Sequence, residues 1–184
     1  MIKNIGIYRD GFRIERLHTI PHSIPYSNGH HSANAAMIGY ELCKKNNYRT
    51  ENVVLALLVH DIHEQHTGDI PAPTKRYSDK LKTELTRMEQ DWESDNNIPN
   101  PPLSAVEIDI VKASDTIELG LHCLDELQMG NRMLLSCLKN VIAYLEPYID
   151  RLYGIKSIID IFIKIHQKNY KELTGIKLEI SNYV

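Results

Sequence analysis

The chain has 184 residues, 42% hydrophobic and 24% charged, with a formal net charge of −3, the size and balance of one globular unit around one core. That charge excludes a global pull toward nucleic-acid polymers or anionic membranes, and no apolar run reaches bilayer-spanning length. Arg9 and Asp10 interrupt the N-terminus before any signal-peptide-like stretch, and the cysteines Cys43, Cys123 and Cys137 are widely spaced, so buried free thiols in a reducing, cytoplasmic setting are expected.

Residues 1–30 read as irregular, with Pro21, Pro25 and Asn28-Gly29 as turn signals. Ala35, Ile38 and Leu42 mark one face of a helix over residues 31–46. Thr50 is placed to cap the next helix, whose run Val53, Val54, Leu55, Leu57, Leu58 and Val59 predicts a central core position. This helix is expected to continue through His60-Asp61 and stop near Gly68, before Pro71 and Pro73. A charged helix follows over residues 77–93, with Leu81, Leu85, Met88 and Trp92 on one side, then a loop over residues 94–102. Ser104 and Glu107 form a capping box for a long helix over residues 105–127, closed by Gly130-Asn131. Two more helices are predicted over residues 133–153, kinked or divided at Pro147, and over residues 157–169. The tail after Thr174 reads as a short helix or a loose end, with residues 176–183 also able to extend as a strand. The prediction is all-α, with residues 1–184 as a single domain.

Histidine is the unusual component: His18, His22, His30, His31, His60 and His63 are six of nine, all within the first 63 residues. The pair His60-Asp61 follows a largely aliphatic run, where an acid costs several kcal/mol unless it is paired or metal-bound. Imidazole nitrogen and carboxylate oxygen both suit a divalent transition metal, but two adjacent residues need ligands from other elements. His31 and Asp115 offer them. Taken singly, His60 reads equally well as a hydrogen-bonded core histidine, His30 or His31 as a surface or capping residue, and Asp115 as a solvated helix residue. Spacing alone does not join them. Glu64 lies three residues after Asp61 and four after His60, so all three are expected to share a helix face.

In order, the chain carries Arg16, His31, His60-Asp61 with Glu64, Gly68-Asp69-Ile70-Pro71, then Lys112-Ala113-Ser114-Asp115, Cys123-Leu124-Asp125-Glu126-Leu127 and Gly130-Asn131. Over roughly residues 12–131 this resembles the HD-domain phosphohydrolases, specifically the branch of bacterial 5'-deoxynucleotidases and phage deoxynucleoside triphosphate triphosphohydrolases. The resemblance implies an HD-domain helical bundle with a central metal site. It implies one divalent metal ion (manganese, cobalt, magnesium or zinc) held by His31, His60, Asp61 and Asp115. Glu64 is implied to handle the proton of water or leaving group, and Arg16 to bind phosphate, for which a guanidinium fork is suited. Asp69 is implied to lie near the sugar or the water, unless its carboxylate serves its own turn amides. Lys75 and Arg76 extend the phosphate pocket or solvate a helix start. Leu17 stands where the bacterial deoxynucleotidases have a tryptophan that helps exclude ribonucleotides, which weakens the expectation of strict deoxyribose selection. His18-Thr19-Ile20-Pro21 and the segment Gly68 onward to Lys75-Arg76 resemble the phage side of the branch. A homo-oligomer is also implied.

The favoured reading is metal-dependent cleavage of the 5' phosphoester of a deoxynucleoside triphosphate, dATP-like, releasing deoxynucleoside and triphosphate. Arg13, Arg16, Lys75, Arg76, Lys80 and Lys82 supply candidate cations for a long phosphate chain. The alternatives are a 5'-deoxynucleotidase acting on monophosphates, a phosphohydrolase for cyclic or signalling nucleotides, and a non-catalytic nucleotide-sensing module. His63 and His66 do not match a clear second ligand set, so one metal is expected. The partner is a small-molecule nucleotide, not a nucleic-acid polymer or a membrane.

Overall fold

In the computed structural model, which describes residues 4–174, three helices meet where the sequence places its aliphatic residues. These are α2 (Asn28–Asn46), α3 (Glu51–Val59) and α7 (Ala105–Gln128). Helix α2 begins because Ser27 accepts a hydrogen bond from the His30 N–H, and it ends at Asn47 in the left-handed conformation. The Ser104–Glu107 capping box forms as expected and starts α7. Ala35, Ala36, Leu42, Val53, Leu57, Ile110, Ala113 and Ile117 are buried at this junction.

The far side of α7 packs against α8 (Leu135–Leu145) and α9 (Ile155–Thr174). Their close approach depends on Gly120, where a Cβ would lie 2.3 Å from Cε2 of Phe162 and 2.9 Å from Cγ1 of Val141. Phe162 is 1% exposed. Phe162→Ala is therefore expected to lose about 3–5 kcal/mol of stability, read from urea unfolding. A loss below about 1 kcal/mol would show that this junction is not part of the cooperative core.

Several expectations are corrected. Residues 1–30 are not wholly irregular, since α1 occupies Ile5–Gly11. Thr50 stands at the start of α3 but makes no side-chain cap bond. Helix α3 is not fully central: Val53 and Leu57 are buried, while Leu55 is 37% exposed. It stops at Val59 rather than Gly68; residues 60–63 form a turn, and α4 is a separate short helix, Glu64–Thr67. The amide of Ile62 bonds the carbonyl of Val59, and that of Glu64 the carbonyl of Asp61, the tighter three-residue pattern. His60, Asp61 and Glu64 therefore do not share one continuous helix face. Cys43 and Cys123 are buried free thiols as expected, whereas Cys137 is only half-buried. Pro147 divides the helix over residues 133–153: α8 is flanked by 3-10 turns at Arg132–Leu134 and Glu146–Tyr148. The expected tail after Thr174 lies outside the described residues.

Helix α5 (Ala72–Lys75) and the charged α6 (Asp79–Asp95) lie on the outside, and α6 has no fully buried residue. The segment from Phe12 to Gly29 folds back on itself. Arg16 N–H bonds Tyr26 O at 2.8 Å, Asn28 N–H bonds Ile14 O at 2.8 Å, and Glu15 bridges Ser27. Glu126, fully buried in α7, accepts the amides of Ser23 and Ile24, while Asn131 binds Glu126 and the carbonyl of Pro21. The Glu126 and Asn131 segments, conspicuous in sequence, thus anchor the loop that carries Arg16. Among the described residues, no helix is long and apolar enough to cross a membrane.

Candidate metal centre

The two histidines reach one point from different elements, α2 and the turn after α3. His31 lies in the first turns of α2, and its Nδ1–H donates to the Glu118 carboxylate of α7, which also accepts the Tyr26 hydroxyl. His60, just past α3, donates Nδ1–H to Leu57 O at 2.8 Å. A carboxylate and a carbonyl can only accept, so each neutral ring carries its proton on Nδ1 and presents a bare Nε2. Those two Nε2 atoms face each other at 3.3 Å. Asp115 Oδ1 lies 3.0 Å from His31 Nε2 and 3.8 Å from that of His60. Asp61 Oδ2 is 3.0 Å from His60 Nε2 and 4.0 Å from His31 Nε2.

Three electron-pair donors, from His31, His60 and Asp115, lie 3.0–3.8 Å apart, the spacing of ligands held about 2 Å from a common centre. Asp61 adjoins them through His60 and also clusters with His63 and Glu64. Outer-shell carboxylate and carbonyl partners on the histidines complete the pattern of a metal site. The residues therefore fit a divalent ion. Where protons replace the ion, burial disfavours charge on the histidines, but Asp115 and Glu118 beside His31, and Asp61 and Asp115 beside His60, outweigh it and raise both pKa values. Burial likewise opposes ionisation of Asp61, yet His60 and Arg16 hold it well below the usual carboxylate range. The sequence places His60 and Asp61 in a buried stretch; their side chains are in fact 20% and 14% exposed. Asp115 is 40% exposed, so the centre opens to solvent on its side.

Arg16 approaches from the N-terminal loop. Its Nη1 donates to Asp61 Oδ2 and, at 3.0 Å, to Asn28 Oδ1, while its Nε is buried without a hydrogen-bond partner. Glu64 is 2% exposed, and burial together with neighbouring Asp61 pushes its carboxyl up to about 7. Lys75 Nζ sits 3.8 Å from Glu64 and 3.8 Å from Glu89 of α6. Asp69 does not serve its own turn: its Oδ2 accepts the amide of Leu17 at 3.0 Å. Leu17 is held there at φ 54°, a conformation unusual for a residue with a Cβ.

Of the remaining cations, Arg13 is exposed and pairs with Asp10, and Arg76, Lys80 and Lys82 are exposed. Sequence reasoning did not assign Asn28, Tyr26, Glu118 or the His63–Glu89–Glu93 cluster. For Glu118 the signal was present: an acid between Ile117 and Leu119, three residues after Asp115 on the same helix.

Residues 13–168 match the family described as 5'-deoxynucleotidase YfbR-like. The chain belongs to this family. Its relatives include 5'-deoxynucleotidase VV1113 of Vibrio vulnificus, 28% identical over 121 residues covering 55% of this chain. The chain spans 62% of that protein's length. YfbR of Escherichia coli is 29% identical over 136 residues, 63% of this chain and 68% of that protein. Among solved structures, an HD-domain phosphohydrolase from Listeria innocua superposes with a TM-score of 0.69 at 19% identity, covering 93% of this chain and 89% of that one. The cyanophage S-2L HD phosphohydrolase DatZ, bound to dA and one catalytic Zn2+ ion, superposes with a TM-score of 0.60 at 16% identity, covering 94% and 99%. This YfbR-like chain thus has the all-α HD-domain phosphohydrolase fold, as its motifs implied.

Proposed function

We propose that the protein is a metal-dependent 5'-nucleotidase that hydrolyses the phosphoester of 2'-deoxynucleoside monophosphates. The observation that carries this reading is the convergence of His31, His60 and Asp115 on one point, with Asp61 3.0 Å from His60 Nε2 and Arg16 and Glu64 beside it. His31, His60, Asp61 and Asp115 would hold one divalent ion, which when bound would lower the pKa of a water and offset phosphate charge. Two imidazole donors favour zinc, manganese or cobalt over magnesium, and zinc accords with the ion bound by the phage neighbour.

Arg16 binds the phosphate. Its free donors are pre-oriented because Asn28 and Asp61 hold the guanidinium. Glu64 takes the proton of the attacking water or supplies one to the leaving 5' oxygen; a buried carboxyl near 7 is suited to either transfer. Lys75 balances the charge that builds on the transferring group. Asp69, by fixing the Leu17 backbone, sets the wall of the pocket next to Arg16.

A monophosphate is favoured because the relatives are named 5'-deoxynucleotidases and because Arg16 and Lys75 pair with Asp61 and Glu64, while Arg13, Arg76, Lys80 and Lys82 are exposed. The triphosphate reading draws support from the phage-like segments around His18 and Gly68. Product analysis separates the two, using metal-reconstituted protein with dAMP and dATP and Glu64→Ala as the control. Phosphate from dAMP, lost in the variant, is the expected result. Deoxyadenosine and intact tripolyphosphate from dATP, with dAMP untouched, would establish the triphosphohydrolase instead. Turnover of neither would favour a sensing module.

A further inference from the structure

We propose that Asn28 is a positioning residue that locks the phosphate-binding arginine and the proton-handling glutamate in register with the metal ligand Asp61. The proposal rests on the roles given above to Arg16 and Glu64. In sequence Asn28-Gly29 is only a turn signal. In the structure Asn28 lies in the first turn of α2, three residues before His31, and is 1% exposed.

Its side chain ties three separate segments. Oδ1 accepts from Arg16 Nη1 at 3.0 Å. Nδ2 donates to Glu64 Oε2 at 2.8 Å and to the carbonyl of Asp61 at 3.2 Å. The orientation of the amide follows from its partners: a guanidinium only donates, and a carboxylate and a carbonyl only accept. Its backbone N–H, bonded to Ile14 O, ties the same residue to the loop that bears Arg16. Asn28 therefore links the loop, the turn after α3 and α4 through one rigid group.

No other common side chain of this size does the same. Aspartate would satisfy Arg16 but would offer Glu64 no donor, and it would place a third carboxylate beside Asp61 and Glu64. Leucine matches the shape and bonds to nothing. With Oε2 held by Asn28, Glu64 keeps Oε1 toward Lys75. With Nη1 held, Arg16 is fixed with its buried Nε still unpaired. Rotation of either group is suppressed before substrate arrives, which is how outer contacts hold reacting groups in productive geometry.

The test uses metal-loaded Asn28→Ala and Asn28→Asp, alone and in the Glu64→Gln background. Turnover of dAMP, affinity for inorganic phosphate, metal affinity and Tm are measured. Each single Asn28 variant is expected to lose about 10–100-fold in kcat, the cost typical of a lost outer-shell partner, and to bind inorganic phosphate more weakly at unchanged metal affinity. In the Glu64→Gln background the same substitution should cost less than about threefold, because groups that act as a unit are not additive. Equal losses in both backgrounds, or an effect on Tm alone, would overturn the proposal and leave Asn28 a packing residue. Asn28→Asp keeps the volume should Asn28→Ala fail to fold. If the wild type turns over no nucleotide but binds phosphate, the Asn28 variants still decide the question through that affinity. Absence of both in the wild type removes the reading of the site, and the proposal with it.

Discussion

Asp61→Ala is expected to bind its metal more weakly by more than the about 10–100-fold that loss of an outer-shell partner costs, and, stripped of metal, to melt roughly 10 °C lower than the wild type. Two consequences follow from one carboxylate because Oδ2 faces His60 at 3.0 Å and also accepts from Arg16. Removing it takes a ligand from the cluster. It also leaves a guanidinium whose side chain is 13% exposed without its counter-charge. Breaking such a pair from one side costs about 3–5 kcal/mol, toward the lower end here because Asn28 remains bound to Arg16. Metal titration and calorimetry with and without chelator check both arms. A variant with unchanged affinity and unchanged melting would exclude Asp61 from the centre.

Glu64→Gln separates chemistry from assembly. Turnover should fall by about 10²–10⁴, the contribution of a positioned acid–base group. Metal affinity should stay near that of the wild type, and the Asn28 amide still finds an oxygen to bond. Stability should move the other way. In the metal-free protein burial, with Asp61 beside it, raises Glu64 from 4.5 to about 7, so between those values the unfolded chain has released a proton that the folded protein retains. Wild-type stability therefore declines as pH rises from 4.5 to about 7, while glutamine carries no such penalty. The advantage of the variant should be smallest below pH 4.5 and complete above about 7, measured by denaturant unfolding across that range. A kcat within tenfold of the wild type would remove Glu64 from its assigned role.

The helices with local signals were legible in sequence. Ser104 with Glu107 fixes the start of α7 through two reciprocal hydrogen bonds, and Gly130, at φ 90°, ends it as expected. The break after Val59 was not legible, because nothing between Leu57 and Glu64 disfavours a helix locally. It is the tertiary demand on His60 and Asp61 that favours a turn there: a regular helix directs neighbouring side chains about 100° apart, whereas both of these must reach the same centre.

Of the four candidate ligands, His60 and Asp61 stood out as a polar pair after an aliphatic run, whereas His31 and Asp115 were nominated by the family pattern. Composition and pattern thus determined an all-α fold, and the family resemblance nominated nitrogen and oxygen donors for a divalent ion. Only tertiary structure decided which cations come beside those donors. Arg16 arrives because Glu126 and Asn131 pin its loop, while Lys80 and Lys82 remain on an outer helix. It also decided that Glu118 orients His31 and that Asn28 joins Arg16 to Glu64. The physical reason is that local propensity and burial cost are properties of short segments, whereas a hydrogen bond across 36 residues depends on where two separately folded pieces come to rest.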